Sequence, residues 1–509
     1  MKRTATRFST AAGLALIGGL LVAPSARALE LDWSGQFRAE ANLVHNYALD
    51  SGNNNIPDGN RVNAKGYYIR GGGEGNAYFQ NLFMRLRPKI VVNDNIYIKS
   101  EFWLGDPVYG MFGNAVPYTT DQTQFYSNQS RGSIITAQRF WAEYMSDIGT
   151  AQVGRAPLNW GLGIVWNNGD GIWDKYQSTG DVIRLVSKFG AFTFSPAIIK
   201  YSQGNNIGGA FAPSTNGGTG TAVSGGGGME EYSVSAKYEN PDEDFEGGVN
   251  FIKRLSGPAQ DRYVGWDGKG AGMHLNIWDI YARKKFGTVS LGAEVPLTSG
   301  DVEGAHYSTY AAALEGNWKI SDSWETNVRA GHAPGQPNIV NPSPSDFKAF
   351  FFNPNYRLGL IMFNYQLANF AGPNTTNNSN VSGNQLASPY DNPIVNANYL
   401  SLNLAYHLEK WHFHGNYIYA KANEVATQNG YFYNTWSRQF VAYNGGNAQS
   451  NSLGWEMDYG LSFQWDDNFI FAADTGFFFP GDFYKFSNTT TDNALGTVWA
   501  TVFRVGTTF

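Results

Sequence analysis

The sequence predicts an all-β chain closed into a transmembrane, antiparallel, up-and-down β-barrel of about 18 strands with long extracellular loops. Three observations carry that prediction. Many stretches of ten or so residues alternate apolar and polar side chains, and their connections alternate between short turns and long polar loops. Beyond the first 28 residues, no apolar run approaches the ~18 residues that mark a spanning helix.

The elements follow in chain order. Lys2, Arg3 and Arg7 precede an apolar run from Ala11 to Ala23, and Ala26-Arg27-Ala28 is a small-x-small site, so residues 1–28 read as a secretory signal peptide. Residues 29–509 are expected to form a single barrel domain. Its first strand, LDWSGQFRAEANL at 31–43, sets Leu31, Trp33, Phe37, Ala39, Ala41 and Leu43 against Asp32, Ser34, Gln36, Arg38, Glu40 and Asn42. The same period places strands at 78–91, 95–104, 134–145, 150–155, 181–189, 191–201, 230–239, 244–253, 273–286, 288–297, 307–318, 323–331, 397–408, 411–421, 453–465, 468–478 and 496–509. Short turns such as SDIG (146–149), LEK (408–410) and WDD (465–467) mark one end, and Gly/Asn/Ser-rich loops mark the other. Trp411, Tyr417, Tyr419, Trp455 and Trp465 sit where interfacial girdles are expected. On the last strand Trp499, Phe503, Val505 and Phe509 share a face, so Phe509 is expected to end the closing strand on the lipid side.

Composition agrees with export and a membrane barrel. There is no Cys, which excludes disulfides, thiol catalysis and thiolate metal sites. Losing Lys2, Arg3, Arg7 and Arg27 with the signal takes the formal charge from -6 to -10, the opposite of a nucleic-acid surface. A secreted sandwich or propeller would also alternate, but its strands are typically ~5–6 residues long. No G-x-S-x-G elbow or other catalytic signature is present, and no enzyme activity or cofactor is expected.

Parity assigns the polar faces to the lumen. The candidate lumen-lining residues are Arg38, Glu40, Arg85, Arg87, Lys99, Glu101, Arg139, Glu143, Arg184, Lys188, Arg283, Arg329, Glu456, Asp458 and Asp474; Glu231, Glu246, Glu294, Glu315, Glu325 and Arg504 share that parity. Both signs occur in similar number, which fits a salt-bridged wall around a water-filled path better than a ring of one sign. His412 and His414 face the lumen together, and no third ligand adjoins them in sequence, so no metal site is assigned. Asn167, Asp170 and Asp174 lack the spacing of a Ca²⁺ loop and read as a solvated extracellular loop. Trp160, Trp166, Trp173 and Tyr176 near the mouth suit loop packing or sugar stacking.

One segment breaks the pattern. Residues 355–366 (NYRLGLIMFNYQ) hold an apolar core inside a long extracellular stretch, 333–395, and counting them as a strand would make the total odd. They are expected to fold inward and narrow the lumen, with Tyr356, Arg357, Phe363 and Tyr365 as constriction residues; a strand with a missed partner and a packed external cap are the alternatives.

The ending on Phe509 resembles that of Gram-negative outer-membrane porins, where a closing strand with terminal Phe is the signal for the barrel-insertion machinery. Gly454, Glu456 and Asp458, followed by Phe478, Phe479, Pro480 and Gly481, are similar to the closing hairpin of alginate-export-type porins and their uncharacterised relatives, and VGRAPLNWGLG (153–163) resembles a Gly-Arg strand end in such porins. The resemblance covers about a tenth of the chain. It implies an outer membrane of a Gram-negative bacterium, contact with lipid, lipopolysaccharide and the insertion machinery, and passive or mildly selective diffusion of small hydrophilic solutes such as carbohydrates or organic anions. A surface adhesin or receptor with a plugged lumen is the alternative, served by the long loops at 203–229 and 423–452.

Overall fold

A computed structural model of the chain describes residues 30–47, 49, 69–70, 77–105, 107, 135–202, 229–256, 272–302, 304–341, 345–365, 367, 390, 392–427, 430–435, 439–488, 490 and 492–509. The expected signal peptide, the Gly-rich stretch 203–228 and most of 366–391 lie outside these residues.

Eighteen long strands run in order: β1 (Glu30–His45), β2 (Ala77–Asn93), β3 (Ile96–Gly105), β4 (Ile135–Ser146), β5 (Gly149–Pro157), β6 (Thr179–Phe189), β7 (Phe192–Ser202), β8 (Met229–Asn240), β9 (Phe245–Ser256), β10 (Met273–Phe286), β11 (Val289–Val302), β12 (Ala305–Tyr310 and Ala312–Lys319, broken at Ala311), β13 (Trp324–Ala333), β14 (Ala397–Leu408), β15 (Trp411–Lys421), β16 (Ser452–Gln464), β17 (Phe469–Pro480) and β18 (Val498–Thr508). Each pairs antiparallel with its sequence neighbours, and β1 pairs with β18 from Gln36↔Thr508 to His45↔Trp499, so the sheet has no edge. Closure extends past the last strand: Gly35 N–H donates to the Phe509 carbonyl at 2.8 Å and Phe509 N–H returns to Gly35 at 3.1 Å. The Phe509 ring lies over Gly35, where an added Cβ would come 2.7 Å from a ring carbon.

The period-2 pattern sorts the two faces. In β1, Gln36, Arg38, Glu40, Asn42 and Val44 are buried, and the residues between them are half-buried on the outer face. Outside, the wall presents Phe140, Ile183, Ile198, Trp278, Leu291, Leu314, Leu404, Leu461 and Phe503. That apolar exterior on a closed ladder is the arrangement that lipid permits, because closure pairs each strand with its neighbours and leaves no open sheet edge. At the short-turn end the exposed aromatics are Trp33, Phe189, Phe192, Phe286, Trp318, Trp324, Trp411 and Trp465.

The eight turns at that end are built for tightness. Gly190 and Gly287 take positive φ (60° and 61°), and Glu409 does so at 50° in the two-residue turn between Leu408 and Trp411. The chain ends of β1 and β18 lie at this same end, as an even strand number requires. The opposite end carries the loops, with one exception. Val302 pairs with Ala305, so β11 and β12 join through a tight turn and both extend further than the alternation alone indicated.

Candidate functional site in the barrel lumen

Two segments from the loop end enter the lumen. The first, 158–178, joins β5 to β6; the second, 348–365, belongs to the long connection between β13 and β14. They meet each other: Asn353 N–H donates to the Ile164 carbonyl (2.8 Å), and Asn355 Oδ1 accepts from the backbone of Tyr176 (2.9 Å) and Lys175 (3.2 Å). Small wall residues let them approach. A Cβ on Gly506 would lie 2.7 Å from Ile172 and one on Gly248 would lie 3.0 Å from the Trp160 ring.

Wall charges hold the first segment. Arg38 donates to the Ile172 carbonyl, Arg85 to the Gly169 carbonyl at 2.8 Å, and Arg139 to the Asn168 carbonyl. Asp170 receives Arg87 and Arg139, the latter at 3.1 Å. Lys175 reaches across to Glu40, with its ammonium 2.7 and 2.8 Å from the two carboxylate oxygens. From the other side Glu294 accepts the N–H groups of Leu162, Gly163 (2.9 Å) and Ile164 (3.4 Å). A carboxylate collecting successive backbone donors, and guanidiniums collecting carbonyls, satisfy a non-repetitive segment that has no strand partner. Asn167, Asp170 and Asp174 therefore belong to a segment inside the barrel, and the solvated external loop expected for them is not what is observed. Loop polarity is the same whether a loop faces the lumen or the outside, which is why composition misplaced it.

The second segment is held in the same manner. Arg329 donates to the carbonyls of Arg357 (2.6 Å) and Leu358 (3.2 Å), and Asn416 also donates to Leu358 (2.8 Å). Asp458 accepts from Leu360 N–H at 3.1 Å, and Glu456 accepts from Ile361 (2.8 Å) and Met362. The G-x-E-x-D pattern thus has a local physical meaning. Gly454 takes φ 103° at a ladder irregularity, and the two acids that follow face inward and dock the segment. Tyr365 donates to Asn42 at 2.8 Å. Tyr356 lies 3.5 Å from the Tyr399 hydroxyl, and Phe363 lines a separate pocket with Gln336, Val425, Phe432 and Tyr484. Arg357 bonds within its own segment, to Pro354, Asn355 and Asn364 at 3.3–3.4 Å, and has no carboxylate in ion-pair range among the described residues.

Several of the remaining polar wall residues pair with one another. Lys99 meets Glu143 at 2.8 Å, Arg184 meets Gln152 at 2.7 Å, and Arg283 stands 3.8 Å from Glu246 and 3.7 Å from Glu315. Asp474 receives both Arg504 and His414, and Glu101 gathers Arg87 (2.8 Å) and Arg139 (3.1 Å). Lys188 is exposed beside the short-turn end, in a hollow shared with Glu239, Glu246 and Arg283. Asn42 is placed on the polar face of the first strand by its period, whereas the roles of Asn416, Lys175 and Asn355 are not legible in the sequence. No local signal reveals what any of the four holds, since each acts on a residue distant in the chain.

Between the inner segments and the wall from β7 to β12 lies a cavity of about 430 Å³. Trp166, Tyr307 and Phe350–Phe352 line it together with Tyr201, Glu231 and Arg254, with Tyr201 donating to Glu231 at 2.8 Å and Arg254 to the same carboxylate at 2.5 Å.

No family model matches the chain, and no curated protein matches it. Among solved structures it is similar to the outer membrane protein OprD of Pseudomonas aeruginosa (9% identity, 95% of this chain and 96% of that chain, TM-score 0.49). It is also similar to Pseudomonas aeruginosa OccK2 in complex with glucuronate (9%, 94% and 98%, TM-score 0.47) and to a BenF-like porin of Pseudomonas fluorescens Pf-5 (10%, 94% and 98%, TM-score 0.47).

Proposed function

We propose that the chain is an outer-membrane channel of a Gram-negative bacterium, passing small hydrophilic solutes by passive or mildly selective diffusion, without cofactor or chemical step. One observation carries the reading: the lumen of a closed, lipid-compatible barrel is narrowed by two segments docked on wall charges, and beside them stays a cavity lined by aromatic and charged side chains. Eighteen strands enclose more space than side chains fill, so inner segments set the aperture. Tyr356, Arg357 and Tyr365 stand at the proposed constriction. Arg357, without a carboxylate partner among the described residues, favours organic anions, and the aromatic residues of the cavity suit sugar rings. The lumen charges assigned by parity act in this proposal mainly as the clamps and braces described above. The chain resembles the alginate-export type at residues 153–163 and 454–481, and it meets lipid, lipopolysaccharide and the barrel-insertion machinery.

A receptor or adhesin barrel with a plugged lumen is the second reading, favoured by how far the two segments reach across the barrel. Swelling of liposomes containing the refolded protein separates the two. Entry of a monosaccharide and of a small monocarboxylate supports the channel, whereas vesicles that swell no faster than empty ones overturn it.

A further inference from the structure

We propose that Glu325, His407 and His412 form a binding site for one divalent transition-metal ion, of the zinc type, at the short-turn mouth of the lumen. His412 alone offers one imidazole, and its sequence neighbour His414 is engaged by Asp474 at 3.1 Å. The hairpin supplies a second imidazole and the next strand a carboxylate. His407 is the register partner of His412 across β14 and β15, and their rings stand 4.6 Å apart. Glu325, on β13, reaches the same point from the next strand, with its Oε1 3.2 Å from His407 Nε2. One ligand atom from each of the three lies within 4.8 Å of the others. Ligands on a tetrahedral ion with ~2.0–2.1 Å bonds are about 3.3 Å apart, so small rotations of half-exposed side chains close the site.

The scaffold is rigid and the charge is right. The two histidines flank the two-residue turn Glu409-Lys410, which fixes their separation through the hairpin. The ammonium groups that would compete for the carboxylate turn elsewhere. Lys410 donates to the Trp465 carbonyl at 2.7 Å, and Lys319, the register partner of Glu325, pairs with Asp322 at 3.0 Å. Two imidazoles and one carboxylate converging from three adjacent strands, with further positions open to the lumen water, are a donor set for zinc, nickel or copper and a poor one for magnesium or calcium.

The test uses the tag-free, refolded protein and isothermal titration with zinc chloride near neutral pH. One saturable zinc per chain is expected, weakened at least about tenfold in H407A, in H412A and in E325Q, and unchanged in H332A, whose imidazole bonds Asn398 at 2.7 Å on the other rim. H407N and H412N serve if an alanine variant is not heat-modifiable. Absence of saturable binding up to millimolar zinc overturns the proposal, as does binding that survives loss of either histidine; binding indifferent to E325Q overturns the three-ligand set. None of these outcomes depends on whether the barrel conducts.

Discussion

Replacing Glu456 with Ala should undock the second inner segment from the wall. The carboxylate accepts Ile361 N–H at 2.8 Å and Met362 N–H, and both residues are at most 1% exposed. A buried backbone donor left without a partner costs about 1–3 kcal/mol, so two of them cost about 2–6 kcal/mol against the docked state. Even 2 kcal/mol raises the undocked fraction roughly thirtyfold. Asp458 keeps its own bond to Leu360, at 3.1 Å, so the loss is partial in E456A and greater in the double variant with D458A. Single-channel recording in planar bilayers should show more frequent excursions to a larger conductance, and amide exchange across 355–365 should accelerate by a similar factor. A heat-modifiable E456A protein with unchanged conductance levels and unchanged exchange would refute the clamp.

Other expectations follow from the same geometry. Loss of the last few residues removes the paired backbone bonds between Gly35 and Phe509, and Phe509→Asp replaces the ring that lies over Gly35 with a charge at the lipid face; both should sharply lower folded protein in the outer membrane, read by heat-modifiability. Leu461→Lys places a charge on the outward face, where Leu461 is 40% exposed, and should cost ~2–4 kcal/mol near the midplane, measured by urea titration in lipid. Arg184→Ala removes an inward cation bonded to Gln152 at 2.7 Å, and reversal potentials under a salt gradient should shift toward cations with insertion preserved.

The strands were legible because a wall between lipid and water imposes a period of two on every crossing, and the thirteen-residue alternation at 31–43 is longer than a soluble sandwich strand requires. Parity then placed Arg38 and Glu40 on one face without knowledge of their partners. What the strands hold was less legible. The clamp on Ile172 by Arg38, or on Lys175 by Glu40, joins residues more than 130 positions apart, and nothing in the local pattern of a guanidinium distinguishes a carbonyl partner from a solute. The apolar LGLIMF core in a polar stretch was the one visible sign of an inner segment, because six such residues exposed to water would be an anomaly. Segment 158–178 gave no comparable sign; its tryptophans read as loop packing ahead of a stacking surface for sugars. His407 and His412 are five positions apart across one tight turn, but Glu325 is 82 positions from His407 and only strand order makes it their neighbour.

A water-filled barrel whose aperture is set by inner segments is tested most directly by the single-channel conductance of the native chain beside a variant in which residues 345–390 are replaced by a short Gly/Ser splice. Discrete conductance is predicted for the first and a clearly larger one for the second, with heat-modifiability intact. Equal conductance in two properly folded proteins, or none in either, would contradict an aperture set by that segment.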